Sequence, residues 1–147
     1  MSNKSKLNNK NKTIYVGMSA DILHTGHINL LNEASKYGKV IVGLLNDSAI
    51  TSYKRKPIIN YENRFIVISN LKMVDEVVEQ KTHDYTDNLK IIKPDYVLHG
   101  DDWIKCQSSV RKNVIKTLQE YGGVLIEVPY TPGISTTYII NKIKNVC

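Results

Sequence analysis

The sequence predicts an α/β fold in which a parallel sheet of about five strands carries helices on both faces. Three observations lead to this prediction. Short apolar segments rich in β-branched residues alternate with segments in which apolar residues recur every three or four positions. With 147 residues, the chain is long enough for one compact core. No repeat and no linker divides the sequence, so we expect a single domain.

The first half of the chain alternates strand and helix. The segment TIYVG is short and β-branched, which is typical of a buried strand. The segment VIVGLL is apolar on both faces, as expected of a central parallel strand. Asn60 is expected to cap the next helix. The predicted elements are strand 13–17, a helix from Gly26 that stops at Gly38, strand 40–45, a polar loop, and helix 61–71.

The second half continues in the same order, and serine residues precede two of its helices as caps. The predicted elements are a strand around Val77, helix 85–91, strand 95–100, a helix from Ser108 or Ser109 to Gly122, strand 124–128, and a final helix after Ser135. Strands that alternate with helices in this way predict a Rossmann-like topology. Ligands of such sheets bind beyond the carboxyl ends of the strands, where the strand order reverses.

Composition and charge narrow the possible partners. The formal net charge is +6, and residues 1–12 contribute Lys4, Lys6, Lys10 and Lys12 without any acidic residue. We predict that residues 1–12 are a disordered Asn/Lys-rich tail and that 13–147 form the domain. The positive charge suits an anionic ligand such as a nucleotide or sugar phosphate. The sequence shows no clustered basic face with interleaved aromatic residues, so we do not expect a nucleic-acid partner.

Two classes of protein are disfavoured by the sequence. No apolar run approaches the roughly 20 residues that a membrane helix needs, so we expect no membrane association. The spacing of Cys106 and Cys147 suggests neither a disulfide scaffold nor a zinc site. We therefore expect a cytoplasmic protein.

Two histidines flank a Thr-Gly pair where the first strand gives way to a helix, in the segment DILHTGHINLL. A helix N-terminus offers unpaired N–H groups and a partial positive charge, so it attracts phosphate. Gly26 allows close backbone approach, and His24 and His27 add two ring donors beside these amides. Ser19 adds a hydroxyl, whereas Asp21 is better suited to a supporting or metal-side role than to a phosphate contact.

Three other interpretations of the histidine pair carry less weight. Half of a zinc site would need further ligands, and His83 and His99 are isolated in the sequence. A purely structural pair is less expected at a strand-to-helix junction that holds a glycine. Neither a P-loop nor the G-x-G-x-x-G dinucleotide motif is present.

The chain resembles the cytidylyltransferase branch of the nucleotidylyltransferase superfamily, whose H-x-G-H signature matches HTGH. The resemblance extends from Thr13 to about Lys144, because further motifs recur in the family's order and spacing. These motifs are YENR at 61–64, MVDEVV at 73–78, PDYVLHGDDW at 94–103 and GISTT at 133–137. The resemblance implies in-line attack on the α-phosphorus of CTP, release of pyrophosphate, assistance by Mg²⁺, and a homodimer.

The motifs and the resemblance together predict the site residues. The predicted catalytic residues are His24, His27 and Lys54. The predicted nucleotide-binding residues are Ser19, Ala20, Gly26, His99, Asp101, Asp102, Ser135 and Thr136. The predicted acceptor-binding residues are Arg64 and Tyr130, and Asp21 is the predicted metal-side residue. Trp103 is expected to pack structurally.

Departures from the family's pattern concern the acceptor. Glycerol-3-phosphate cytidylyltransferases usually read G-T-F-D before the histidines, where this chain has Met18 to Asp21. They typically have Arg-Thr-Glu before GISTT, where this chain has Tyr130 to Pro132. At these positions the chain looks more like the cytidylyltransferase modules associated with phosphoenolpyruvate mutase, whose acceptor is a phosphonate.

We therefore expect transfer of CMP from CTP to a small phosphonate or phosphate monoester, with 2-aminoethylphosphonate or 2-hydroxyethylphosphonate favoured. Three alternatives stay open at this point. They are a glycerol-3-phosphate cytidylyltransferase, an adenylyltransferase of the same superfamily, and a nucleotide-binding module without turnover.

Overall fold

A computed structural model describes residues 11–105 and 108–146. Most of the predicted tail, residues 1–10, and both cysteines, Cys106 and Cys147, lie outside this part of the chain. The amide of Lys39 donates to the carbonyl oxygen of Lys12 at 2.9 Å. The described domain therefore makes contacts one residue before the predicted boundary at Thr13.

Five parallel strands form one sheet in the order β3-β2-β1-β4-β5. They are β1 (Thr13–Met18), β2 (Lys39–Leu45), β3 (Glu76–Gln80), β4 (Tyr96–Gly100) and β5 (Val124–Val128). The predicted α/β fold with a Rossmann-like sheet of about five strands is confirmed. The strand order reverses between β1 and β4, so the crevice beyond the ends of these two strands is where a ligand is expected.

Seven helices are found in the described residues. They are α1 (Thr25–Ala34), α2 (Asp47–Thr51), α3 (Tyr61–Ser69), α4 (Thr86–Ile92), α5 (Asp102–Lys105), α6 (Ser109–Gln119) and α7 (Thr136–Lys144). The expected caps Asn60, Ser108 and Ser135 each accept a hydrogen bond from the backbone of the helix that follows. The longest of these helices has 11 residues, and none is long and apolar enough to cross a bilayer.

Two helices were missing from the prediction. The segment after β2, expected to be a polar loop, contains α2, whose N-cap Asn46 accepts from the amide of Ala49 at 2.8 Å. Ala49 and Ile50 of this helix are buried. The polar residues around this apolar pair hid a helical turn of only five residues. Helix α5 is a single turn and was hidden in the same way.

The core has one layer on each face of the sheet. Alternate residues of β1 point to opposite layers, because successive side chains of a strand face opposite ways. Ile14 and Val16 pack in the layer that contains Leu31 of α1. Tyr15 packs in the other layer, which also contains Trp103. Trp103 is 6% exposed, so its predicted packing role is confirmed.

Arg64 was predicted to bind the acceptor, and the structure corrects this. Its side chain is fully buried in α3 and does not line the ligand cavity described below. The guanidinium donates to the carbonyl oxygens of Ser19, Leu45 and Ile59 at 2.7, 2.7 and 2.8 Å. It also pairs with the carboxylate of Asp47 at 2.7 Å. Arg64 thus ties the ends of β1 and β2 together.

We expect Arg64→Lys to lower the free energy of unfolding by about 3 to 5 kcal/mol, because a buried charge would lose its network. A lysine ammonium cannot reach partners in all these directions, and buried carbonyl oxygens would stay unpaired. Urea denaturation measures the change. The control is Arg111→Lys, whose carboxylate partner Glu127 remains within reach of a lysine. Equal effects of the two substitutions would contradict the inference that Arg64 holds the ends of β1 and β2 together.

Candidate functional site

A cavity of about 590 Å³ opens beyond the carboxyl ends of β1 and β4, at the predicted switch point. All predicted site residues except Arg64 and Asp101 line it. Those that line it are Ser19, Ala20, Asp21, His24, Gly26, His27, Lys54, His99, Asp102, Tyr130, Ser135 and Thr136. Residues from distant parts of the sequence therefore meet in one crevice.

The two motif histidines form their own capping box at the start of α1. The ring Nδ1 of His24 accepts from the amide of Gly26 at 3.0 Å. The ring Nδ1 of His27 accepts from the amide of His24 at 3.1 Å. In the usual capping box, a serine or threonine and a glutamate or glutamine make these two bonds. Here the spacing of three residues between the histidines is the spacing that this reciprocal cap requires.

This cap fixes the tautomer of both rings. A nitrogen that accepts a hydrogen bond from a backbone amide carries no proton, so in the neutral imidazole the proton is on Nε2. His24 and His27 are therefore both Nε2–H donors. The ring centroids lie 4.0 Å apart, which places the two donors side by side in the cavity.

Both rings stay neutral at physiological pH. Burial, together with the nearby His24 and Lys54, lowers the pKa of His27 to about 4. Burial also lowers the pKa of His24. The pair thus donates hydrogen bonds without carrying charge.

Gly26 is required by the cap itself. A Cβ at this position would lie 2.7 Å from Cε1 and 2.9 Å from Nδ1 of His24. Any side chain would push away the ring that caps the helix. The glycine of the motif therefore protects the geometry of His24.

Asp21 holds a loop. Its carboxylate accepts from the amides of Ile58 and Ile59 at 2.8 to 3.0 Å and pairs with Arg55 at 2.5 Å. These contacts lower the pKa of Asp21 against the opposing effect of burial. Ala20, just before it, has φ of 49°, a left-handed conformation that alanine seldom adopts. The carboxylate is already committed to protein donors, so Asp21 does not fit a direct metal ligand.

The connection between β5 and α7 forms the wall next to α1. Asn29 of α1 donates to the hydroxyl of Thr131 at 3.3 Å, and the hydroxyl of Thr136 donates to the carbonyl of Ile22 at 3.4 Å. Ser135 caps α7 through the amide of Tyr138. The N-termini of α1 and α7 therefore face the same cavity, and both attract anions.

The carboxyl end of β4 supplies an imidazole ring whose free nitrogen accepts rather than donates. The Nδ1 of His99 lies 2.8 Å from the carbonyl oxygen of Gly100, so it donates and leaves Nε2 as an acceptor. The ring stacks on Trp103 at 3.5 Å. Asp101 does not line the cavity, and its carboxylate accepts from the amide of Tyr130 at 3.2 Å. Its predicted nucleotide contact is therefore replaced by a role in fixing the Tyr130 loop.

Among the lining residues that were not predicted, an aromatic pair stands out. Tyr53 and His83 stack at 3.8 Å with their planes 7° apart, and both line the cavity. Tyr53 follows β2 in the chain, and His83 follows β3. The signal that points to His83 is its position just beyond the end of β3, whereas Tyr53 follows the short helix α2.

Comparison with known proteins shows the family to which this chain belongs. A family model described as "Cytidylyltransferase-like" matches residues 14–142. The FAD synthase of Methanopyrus kandleri is 33% identical over 121 residues, which cover 80% of this chain and 77% of that protein.

Other relatives share the domain within longer chains or the fold alone. The bifunctional protein HldE of Sulfurimonas denitrificans is 35% identical over 90% of this chain, which spans 27% of HldE. A crystal structure of a lipopolysaccharide core biosynthesis protein from Thermoplasma volcanium superposes with a TM-score of 0.67 at 26% identity. It covers 82% of this chain and 96% of that one.

We expect the stability of the protein to depend on pH through His27. Between pH about 4 and about 6.5 the folded state binds fewer protons than the unfolded state, because the pKa of His27 is lowered on folding. The free energy of unfolding should therefore rise with pH across this window, by up to about 3 kcal/mol. As pH falls through the window, this contribution is lost.

The measurement is urea denaturation of the wild type and His27→Gln from pH 4 to 7. Glutamine keeps the capping bond but does not titrate. The variant should have the flatter profile, and parallel profiles would show that His27 is not the source of the dependence.

Proposed function

The chain belongs to the cytidylyltransferase-like family, and from this premise we propose that it transfers a nucleoside monophosphate to a small phosphorylated acceptor. In the specific form of the proposal, CMP moves from CTP to a phosphonate or phosphate monoester. The observation that carries the proposal is the pair of neutral Nε2–H donors that the capping box fixes at the start of α1.

The reaction is an in-line displacement. An oxygen of the acceptor forms a bond to the α-phosphorus of the nucleotide, and the bond from that phosphorus to the bridging oxygen of pyrophosphate breaks. Negative charge develops on the equatorial oxygens and on the leaving group. His24 and His27 donate to these oxygens, and no proton transfer from either ring is required.

Other residues support the triphosphate. The amides at the N-terminus of α7, including that of Thr136, and the hydroxyl of Ser135 provide further donors on the wall next to α1. Lys54 lines the cavity as a point charge that offsets the anionic substrates. In this proposal Gly26 and Ala20 contribute to triphosphate binding through their backbone atoms.

Mg²⁺ is proposed as part of the substrate complex. The described residues contain no group of three or more His, Cys, Asp or Glu side chains arranged to hold a metal ion, and Asp21 is engaged elsewhere. Mg²⁺ commonly binds through substrate phosphates and retained waters. We therefore propose that the ion arrives on the triphosphate and offsets its charge there.

The nucleotide is proposed to be CTP. The motif set H-x-G-H, GDDW and GISTT supports this choice by resemblance. The acceptor nitrogen of His99 suits an exocyclic amino group, which both cytosine and adenine carry and uracil lacks. His99 thus supports an amino base without distinguishing between the two.

Adenylyl transfer is the second candidate. It is favoured by the similarity to an FAD synthase, whose product contains an adenine nucleotide. The role of the histidines would be the same, and only the base and the acceptor would differ. The homodimer and the cytoplasmic location remain predictions from the sequence.

The proposed acceptor is a phosphonate such as 2-aminoethylphosphonate or 2-hydroxyethylphosphonate. Tyr130 stands in the cavity wall where glycerol-3-phosphate enzymes typically carry an arginine. A phosphonate oxygen can attack the α-phosphorus as a phosphate oxygen does, so the histidine chemistry would not change. Glycerol 3-phosphate is the alternative acceptor.

We expect pyrophosphate release from CTP and Mg²⁺ with at least one phosphonate acceptor. The assay panel contains 2-aminoethylphosphonate, 2-hydroxyethylphosphonate, glycerol 3-phosphate, phosphocholine and phosphoethanolamine, with ATP and UTP in parallel. Turnover with ATP alone would replace the CTP proposal by the second candidate. Binding of CTP without turnover of any acceptor would indicate a module that binds nucleotide without catalysis.

We expect His27→Ala to lower kcat by about 10²- to 10³-fold, the usual cost of one lost donor to a developing charge. The affinity for CTP, measured by titration calorimetry, should change much less. Ser108→Ala is the control, because it removes the cap of α6 outside the cavity and should leave kcat unchanged. An unchanged kcat in His27→Ala would refute the role of this ring.

A further inference from the structure

A transferase of this kind must also hold a second anion, the acceptor, beside the triphosphate. We propose that Lys54, His83 and Tyr53 form the subsite that binds the phosphate or phosphonate group of the acceptor. This inference rests on the proposed function. It replaces Arg64, whose buried guanidinium is committed to the ends of β1 and β2.

The subsite lies on the β2–β3 side of the cavity. The stacked rings of Tyr53 and His83 connect the segment after β2 to the segment after β3. The hydroxyls of Tyr53 and Ser19 lie 3.0 Å apart, which links the stack to the end of β1. The N-terminus of α7 and the Tyr130 loop lie on the side of β5. The two walls of the cavity thus offer separate places for two anions.

The backbone around His83 is held from both sides. Buried Gln80 donates to the carbonyls of Thr82 and His83 at 3.0 and 3.4 Å. The carboxylate of Asp84 accepts from the amide of Thr86 and from the side chain of Asn113. A residue fixed in this way presents its ring in one place, as a binding residue must.

The ring nitrogens of His83 and the ammonium of Lys54 are available to a ligand. Among the described residues, no hydrogen bond to the ring nitrogens of His83 is formed, and no carboxylate pairs with the ammonium of Lys54. The neighbouring Arg55, by contrast, is paired with Asp21. Lys56 lines a different surface groove. Lys54 therefore faces the cavity without a carboxylate partner in the described chain, and its ammonium lies 5.3 Å from the ring centroid of Tyr53.

Lys54 lines the same cavity as His27 and His83, and its positive charge contributes to lowering the pKa of both rings. An ammonium in this position can offset the charge of the α-phosphate and of the incoming anion together. Repulsion between two anions is the main obstacle to their approach, so a shared cation is what the reaction requires.

The test is steady-state kinetics of His83→Phe, with the acceptor that the wild type turns over best. Phenylalanine keeps a flat ring against Tyr53 but has no ring nitrogens. We expect KM for the acceptor to rise about 10- to 100-fold, the loss expected for a hydrogen bond to a charged group. KM for CTP should stay within about twofold, as should kcat with saturating acceptor.

Lys56→Ala is the matched control for the lysine, and all of its constants should equal those of the wild type, whereas Lys54→Ala should raise KM for the acceptor. A rise in KM for CTP alone, or equally in both KM values, would assign the subsite to the nucleotide and overturn the inference. Unchanged constants in His83→Phe would overturn it as well.

A second measurement separates this inference from the proposed function. If the wild type turns over no acceptor, 2-aminoethylphosphonate is titrated calorimetrically into the wild type and His83→Phe, each saturated with CTP. If 2-aminoethylphosphonate binds the wild type but not His83→Phe, the anion subsite is supported and the proposed reaction is contradicted. Equal binding to both proteins, or no binding to either, would reject the subsite.

Discussion

The site depends on the reciprocal hydrogen bonds by which two imidazoles cap the helix that carries them. A helix must satisfy its first amides, and here His24 and His27 do so with their Nδ1 atoms. The same bonds leave each Nε2 as a donor directed by the helix rather than by a separate scaffold. Gly26 is the necessary third member, because only a residue without Cβ leaves room for the ring of His24. The helix cap and the pair of Nε2–H donors are therefore one structural unit.

Most of the fold could be predicted because its signal is local. The alternation of β-branched and helical segments is visible within short windows, and the caps Asn60 and Ser135 mark helix starts. The role of Arg64 could not be predicted in the same way. An arginine near the start of a helix in a sequence that suits an anionic ligand looks like a ligand contact. Whether three carbonyl oxygens converge on it is decided only when strands far apart in the chain are brought together.

Site residues that belong to one motif could be predicted from the sequence. Site residues that are brought together only by the order of the strands could not. His24 and His27 lie in one short segment, so their partnership is visible in the sequence. Tyr53 and His83 are 30 residues apart, and nothing in either neighbourhood indicates that their rings stack. Parallel strands β2 and β3 bring their following segments to the same edge, and this arrangement creates the pair. The sheet order is thus needed to find residues that contribute singly from separate loops.

The neutrality of the His24 and His27 rings also affects how the proposed reaction would respond to salt and how its product would leave. Mobile ions screen charge–charge attraction between exposed groups, but they have little effect on a short hydrogen bond from an uncharged ring. Hydrogen bonds from His24 and His27 to phosphate should therefore persist at ionic strengths that weaken the pull of exposed Lys54. Two uncharged rings also bind a departing polyanion less tightly than two cations would. In the proposed reaction, a site built in this way would favour release of pyrophosphate, because the donors that stabilise the transition state would hold the product less tightly than cations.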